Sequence, residues 1–117
     1  MSGSSSYHKG LAAEDQVARH YARAGIMVCA RRWRGACGEI DLIARHGAEV
    51  IFIEVKCSRT HAEAVAQLSP RQIARICDTA TEFLEGEPRG QLTDIRIDVA
   101  LVDGSGRIEI IENAFAG

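Results

Sequence analysis

Asp41 and, thirteen positions later, the triplet Glu54-Val55-Lys56 are the residues of this chain whose types and spacing suit chemistry. Two carboxylates and an amine brought together on adjacent strands are enough to hold a hard divalent cation beside a phosphodiester. Cleaving such an ester needs an activated water, neutralised charge on the non-bridging oxygens and a stabilised leaving oxygen, and a metal ion can serve all three. Asp41 and Glu54 are the candidate ligands for Mg²⁺, or for Mn²⁺ in its place. The backbone carbonyl of Val55 is a further ligand and Glu39 the reserve, while Lys56, on the strand face of Glu54, would orient or help deprotonate the attacking water. The lysine is itself informative, because of fourteen basic residues only Lys9 and Lys56 are not arginine. An ammonium is a compact charge whose pKa moves with its surroundings, whereas a guanidinium stays protonated.

The elements that would position these groups follow from periodicity. Residues 9–24 are helical in pattern, with Leu11, Val17, Ala18, Tyr21 and Ala24 on one arc and Gln16, Arg19, His20 and Arg23 facing away. Glu14 falls inside the apolar arc, where a carboxylate either pairs with an arginine or points at a metal. Gly25 then ends the helix as a left-handed cap. Residues 26–33, 39–45 and 49–57 read as strands, the last two joined by the short link His46-Gly47-Ala48. Alternation puts Glu39 and Asp41 on one face of their strand and Phe52, Glu54 and Lys56 on one face of theirs. The run from Val50 to Ile53 is apolar on both parities and predicts a central strand covered on both sides. Ser69 as N-cap with Pro70 at the first helical position opens a second amphipathic helix through Ile73, Ile76, Cys77, Ala80, Phe83 and Leu84, closed by Gly86. Two more strands, 95–102 and 107–111, flank the turn Asp103-Gly104-Ser105-Gly106. The order αβββαββ predicts an α/β sandwich on a mixed central sheet of about five strands flanked by helices.

With 117 residues, 46% hydrophobic and 26% charged, the chain has the composition of one ordinary globular domain, placed at residues 9–117. Residues 1–8, small and polar at their start, are read as a flexible lead. No apolar run reaches the length of a membrane span and no signal-peptide core is present, so a cytoplasmic location is expected. A net charge of −2 gives no global basic field, which weighs against a non-specific nucleic-acid coat but not against a local patch. Arg31, Arg32 and Arg34 around Trp33 form such a patch, or else a strand edge charged against aggregation. Cys29, Cys37, Cys57 and Cys77 lack zinc spacing and are expected as reduced, mostly buried thiols. The four histidines form no i, i+4 pair and are expected as surface or capping residues, with His61, shortly after the Lys56 strand, the one to watch.

These residues resemble the signature of the PD-(D/E)XK nuclease superfamily, an acid on one strand and (D/E)XK on the next, here Asp41 and Glu54-Val55-Lys56. The similarity extends to Gly10, Glu14, Ala18 and Tyr21, to the segment Gly38-Glu39-Ile40-Asp41-Leu42-Ile43-Ala44, to Arg96 with Asp98-Val99, and to Ile111-Glu112-Asn113-Ala114-Phe115. Together they look like the YraN-like family over nearly the whole chain. The resemblance implies a restriction-endonuclease-like three-layer sandwich and a Mg²⁺-dependent endonuclease, with Glu14 reaching the site from the first helix. Kinship with Holliday junction resolvases implies branched or structured DNA as substrate, and a homodimer for a two-fold junction. Ile40 stands where the superfamily signature has Pro. Arg71-Gln72 stand where family members often carry Lys, which makes Arg71 and Gln72 candidates for a phosphate contact and Gln72 a candidate polar support. Asp98 is read as structural, paired with an arginine. The alternative is a nucleic-acid-binding module of the same fold without turnover, acting with a partner protein. A third reading makes Asp41, Glu54 and Lys56 a buried ion-pair network only.

Overall fold

The computed structural model describes residues 2–115, with side chains from residue 10 onward. Helix α1, Ser2–Arg23, takes in residues 2–8 of the expected lead and carries its helical pattern to the predicted stop. There Gly25, at φ +82°, forms a Schellman cap, its N–H donating to the Ala22 carbonyl at 3.0 Å and that of Ile26 to the Tyr21 carbonyl at 3.0 Å. Five strands follow in one sheet: β1 Met27–Arg34, β2 Glu39–His46, β3 Glu49–Cys57, β4 Ile95–Val102 and β5 Ile108–Ile111, ordered β1-β2-β3-β4-β5. All neighbours are antiparallel except β3 and β4, whose parallel pairing requires a crossover. The crossover contains helix α3, Pro70–Leu84, capped by Ser69 Oγ accepting from the Gln72 N–H at 3.1 Å as the sequence predicts. It also contains two elements that reading leaves out, the short helix α2, His61–Val65, and a 3₁₀ turn at Gly90–Leu92.

The sheet separates two apolar layers. Ala13, Val17, Ala18 and Tyr21 of α1 cover Leu42, Ala44, Ile51, Ile53, Ala100 and Val102 on one side. On the other, Ile76, Ala80 and Leu84 of α3 cover Ile40, Ile43, Val50, Phe52 and Ile97, and Ala64 of α2 covers Val99 and Leu101. The result is the expected three-layer α/β sandwich, with β3 buried on both faces as its two-parity apolar run requires. Two observations depart from the sequence reading. The thiols are free, but Cys29 and Cys37 are exposed, Cys37 in the β1–β2 turn, while Cys57 and Cys77 are half-buried at the margins of the two layers. Alternation also breaks in the middle of the β1/β2 pair. Ala30 and Trp33, three residues apart, pack on the same side, as do their partners Ile43 and Ile40. Arg32, at φ +51°, absorbs the break on β1, and Asp41 lies at the break on β2.

Among the described residues no helix is long and apolar enough to cross a membrane.

Candidate active site

The regular β2/β3 ladder reaches its last pair at Leu42 and Ile53, and the next residues along each strand are Asp41 and Glu54. Asp41 Oδ2 accepts from the Val55 N–H at 2.8 Å, so the side chain takes over where the backbone pairing stops. A strand residue turns its N–H and C=O to the same neighbouring strand. The Val55 carbonyl therefore looks toward Asp41 as well. Glu54 is 7% exposed, and its Oε2 receives Gln72 Nε2 at 3.0 Å and lies 3.3 Å from Lys56 Nζ. Lys56 follows Glu54 on the same strand face, and Gln72 arrives from the first turn of α3, placed by the Ser69 cap. These groups line a cleft of about 350 Å³ with Gly38, Glu39, Arg75 and Ile76.

Its electrostatics follow from burial and crowding. Desolvation first, then the adjacent Asp41 charge, pushes the Glu54 carboxyl from an ordinary 4.5 up to about 8, against the opposing pull of Lys56. Desolvation likewise raises Asp41, while the Val55 N–H and a hydrogen bond with Glu54 hold it back. The two carboxyls therefore keep one proton between them at neutral pH. Two carboxylates and one ammonium sum to one excess negative charge, which a proton or a cation must neutralise.

That excess is the property of a cation site, and the donor set fits Mg²⁺ in kind: two carboxylates and a carbonyl of oxygen type, with waters completing an octahedron. Among the described residues no three imidazole, thiolate or carboxylate groups converge as metal ligands. Glu39, the reserve ligand, borders the cleft but pairs with Arg34 Nη2 at 3.1 Å. Glu14, 6% exposed, meets Arg32 through a two-pronged pair, Nε to Oε1 and Nη2 to Oε2, each 3.1 Å. Burial, followed by the charge of Asp41, raises the Glu14 carboxyl, so it stands near the pair electrostatically without lining the cleft.

The structure does not gather the three arginines of β1 into the cleft. Arg31 pairs with Asp15, Arg32 with Glu14 and Arg34 with Glu39, and none of them is among the residues lining it. Trp33, between them, packs its ring edge-on to Phe83 at 5.3 Å in the layer under α3. Arg71 is exposed on the first turn of α3, outside the cleft lining. Sequence reading passes over Arg75, which does line it; the available signal is its spacing, one turn beyond Arg71 and Gln72 on the same helix. It also passes over Glu82, whose carboxylate accepts from the N–H groups of Ala36 at 2.8 Å and Cys37 at 2.9 Å and so docks the β1–β2 turn on α3.

Asp98 is structural, as read. Fully buried on the α1 side of β4, it accepts from Tyr21 Oη at 2.7 Å, from Arg96 Nε and Nη2 at 2.9 and 3.1 Å, and from the Asn113 N–H at 3.0 Å. His61 is held away from the carboxylate pair, its Nε2 3.0 Å from the Arg107 carbonyl oxygen and its Nδ1 3.2 Å from Glu109 Oε1.

Comparison with known proteins matches residues 13–102 to the profile of the uncharacterised protein family UPF0102. A UPF0102 protein of Cereibacter sphaeroides strain KD131 is 69% identical over 99% of both chains. One from Ruegeria pomeroyi is 58% identical over 97% of this chain and 92% of its own. Another from Roseobacter denitrificans is 48% identical over 97% of this chain and 88% of its own.

Proposed function

The chain belongs to the uncharacterised protein family UPF0102, the YraN-like group, and we propose that it is a metal-dependent nuclease that hydrolyses nucleic-acid phosphodiesters at the Asp41/Glu54/Lys56 cleft. The observation that carries this reading is the pair of crowded, desolvated carboxyls with one amine at 3.3 Å from Glu54, held just beyond the last β2/β3 pair. Asp41, Glu54 and the Val55 carbonyl would hold Mg²⁺ or Mn²⁺. Bound there, the ion supplies charge neutralisation at the phosphate and a more acidic water. Lys56 Nζ sits 3.3 Å from Glu54 Oε2, where it would orient the attacking water by hydrogen bonding and stabilise negative charge as it develops. Gln72 fixes the Glu54 oxygen it shares with Lys56, which keeps the amine and the carboxylate in one geometry.

The substrate class in this proposal is DNA of branched or structured shape, by the superfamily resemblance. A four-way junction has two equivalent strands to cut, so acting on it takes a homodimer with two such clefts. The test is Mg²⁺- or Mn²⁺-dependent cleavage of labelled single-stranded, duplex, flap and four-way-junction DNAs, with Asp41→Ala alongside. Products that require metal and vanish with Asp41→Ala support the reading. Metal-independent products, or none from any substrate with metal bound, refute it for the isolated protein. A second reading, a nucleic-acid-binding module without turnover that works with a partner protein, draws on one observation. Glu14 is held by Arg32 and Glu39 by Arg34, and no three carboxylates converge as metal ligands among the described residues.

A further inference from the structure

We propose that Arg75 is the phosphate-gripping residue of the cleft, poised over the Asp41/Glu54 pair by the absence of a side chain at Gly38. The inference rests on the reading of this cleft as a phosphodiester site and names how the substrate is held there. Arg75 is the one arginine among the nine residues that line the cleft. Of the arginines singled out in the sequence, Arg31, Arg32 and Arg34 each pair with a carboxylate and Arg71 lies outside the cleft lining, while Arg45, Arg59 and Arg96 are paired elsewhere. Arg75 forms no ion pair with any described residue, although Glu39, Asp41 and Glu54 line the same cleft. An exposed guanidinium beside a carboxylate cluster, left without a carboxylate partner, is available to an incoming anion.

Its placement is built in. A Cβ on Gly38 would stand 2.8 Å from both Cγ and Cδ of Arg75, and 3.1 Å from Thr79 Oγ1. Any other residue at 38 would push the arginine stem aside, and the stem, unlike its tip, is anchored to a helix close by. Glu82 fastens the same turn to α3 about two turns of helix further on, through the Ala36 and Cys37 N–H groups. The β1–β2 turn is thereby clamped on the helix with Arg75 lying across it, and a planar fork at that point matches the geometry of a phosphate better than an ammonium does.

The test uses the full chain and labelled single-stranded and four-way-junction DNAs, with Ca²⁺ in place of Mg²⁺ to separate binding from turnover, over a series of salt concentrations. Loss of one charge-assisted contact predicts that Arg75→Ala weakens binding about tenfold or more. It also predicts that the slope of log affinity against log salt falls by roughly 0.7–0.9, one phosphate's share. Arg75→Lys keeps the slope and recovers part of the affinity. Gly38→Ala weakens binding in the same direction, and the double variant Gly38→Ala/Arg75→Ala binds no worse than Arg75→Ala alone. Melting temperatures of the Arg75 variants stay at the wild-type value, because the side chain is exposed. If Arg75→Ala binds with the wild-type slope while the wild type cuts DNA in Mg²⁺, the grip is overturned and hydrolysis stands. If the slope depends on Arg75 but no substrate is cut, hydrolysis is overturned and the grip stands. Failure of the wild type to bind any of these DNAs overturns the grip.

Discussion

The shared proton at Asp41 and Glu54 ties metal affinity to pH. Folding lifts the Glu54 carboxyl from 4.5 to about 8, so between those values the folded chain holds a proton that the unfolded chain has released. The contribution of this carboxyl to metal-free stability is therefore full below about pH 4.5 and declines as the pH rises toward 8. A cation that takes the proton's place must displace it, and the fraction of sites free of it is roughly half at pH 8 and one in a hundred at pH 6. Mg²⁺ or Mn²⁺ should accordingly bind about fiftyfold more tightly at pH 8 than at pH 6, near 2 kcal/mol. Isothermal titration in two buffers of different ionisation enthalpy reads both the affinity and the proton released, close to one per ion at pH 6–7. Glu54→Gln removes the titrating group, and with it the pH dependence. An affinity that is flat from pH 6 to 8, or a slope that survives Glu54→Gln, would sink the idea that this pair is the cation site.

The other expectations concern single groups. Lys56→Ala should lower the cleavage rate by about 10²–10⁴-fold, the usual range for a positioned proton-handling group, with DNA affinity little changed; equal losses in both would make Lys56 a binding residue. Asp98→Ala strands Tyr21 Oη, the Arg96 guanidinium and the Asn113 N–H at a fully buried position, and should cost about 3–5 kcal/mol in a denaturant melt. Arg32→Ala leaves the buried Glu14 without its two-pronged partner and should cost about 1–3 kcal/mol; adding Glu14→Ala should return much of that loss, which a double-mutant cycle measures. Glu82→Ala should speed amide exchange at Ala36 and Cys37 selectively, leaving the β3 amides protected.

What could be read in the sequence was local. The Ser69-Pro70 cap, the Gly25 stop and the two-parity apolar run of β3 each express one residue's own conformational preference or the burial of one strand, and each lies where expected. The short helix α2 also had a local signature: Thr60 Oγ1 accepts from the Glu63 N–H at 3.1 Å, the first half of a capping box with spacing T-x-x-E. Five residues of alanine-rich helix show too little periodicity to announce themselves otherwise. The fate of the β1 arginines was not legible, because Asp15 and Glu14 lie sixteen and eighteen positions away and meet them only when α1 docks. Nor does strict alternation describe Asp41, since the break at Arg32 and Ile40–Ile43 arises from pairing β1 with β2.

Two acids on adjacent strands show how the same side-chain type is given opposite tasks. Asp98 pairs with Ile53, and Glu54, the next residue of β3, pairs with Val99, so the two carboxyls point to opposite faces of the sheet. On the α1 face, Asp98 has donors for both oxygens, including a guanidinium and a main-chain N–H, and its demand for partners is met within the fold. On the α3 face, Glu54 has a single amide and a single ammonium at one oxygen and a second carboxyl beside it, so its demand is met only in part. A fold selected for stability alone would place a donor where Asp41 stands, as it does beneath Asp98. Substituting Asp41→Asn does so with almost no change of shape: it should raise the metal-free melting temperature at pH 8 by relieving the crowding, while abolishing cation binding. A variant that is less stable at pH 8, or that still binds the ion as the wild type does, would show that the pair serves the fold and not a ligand.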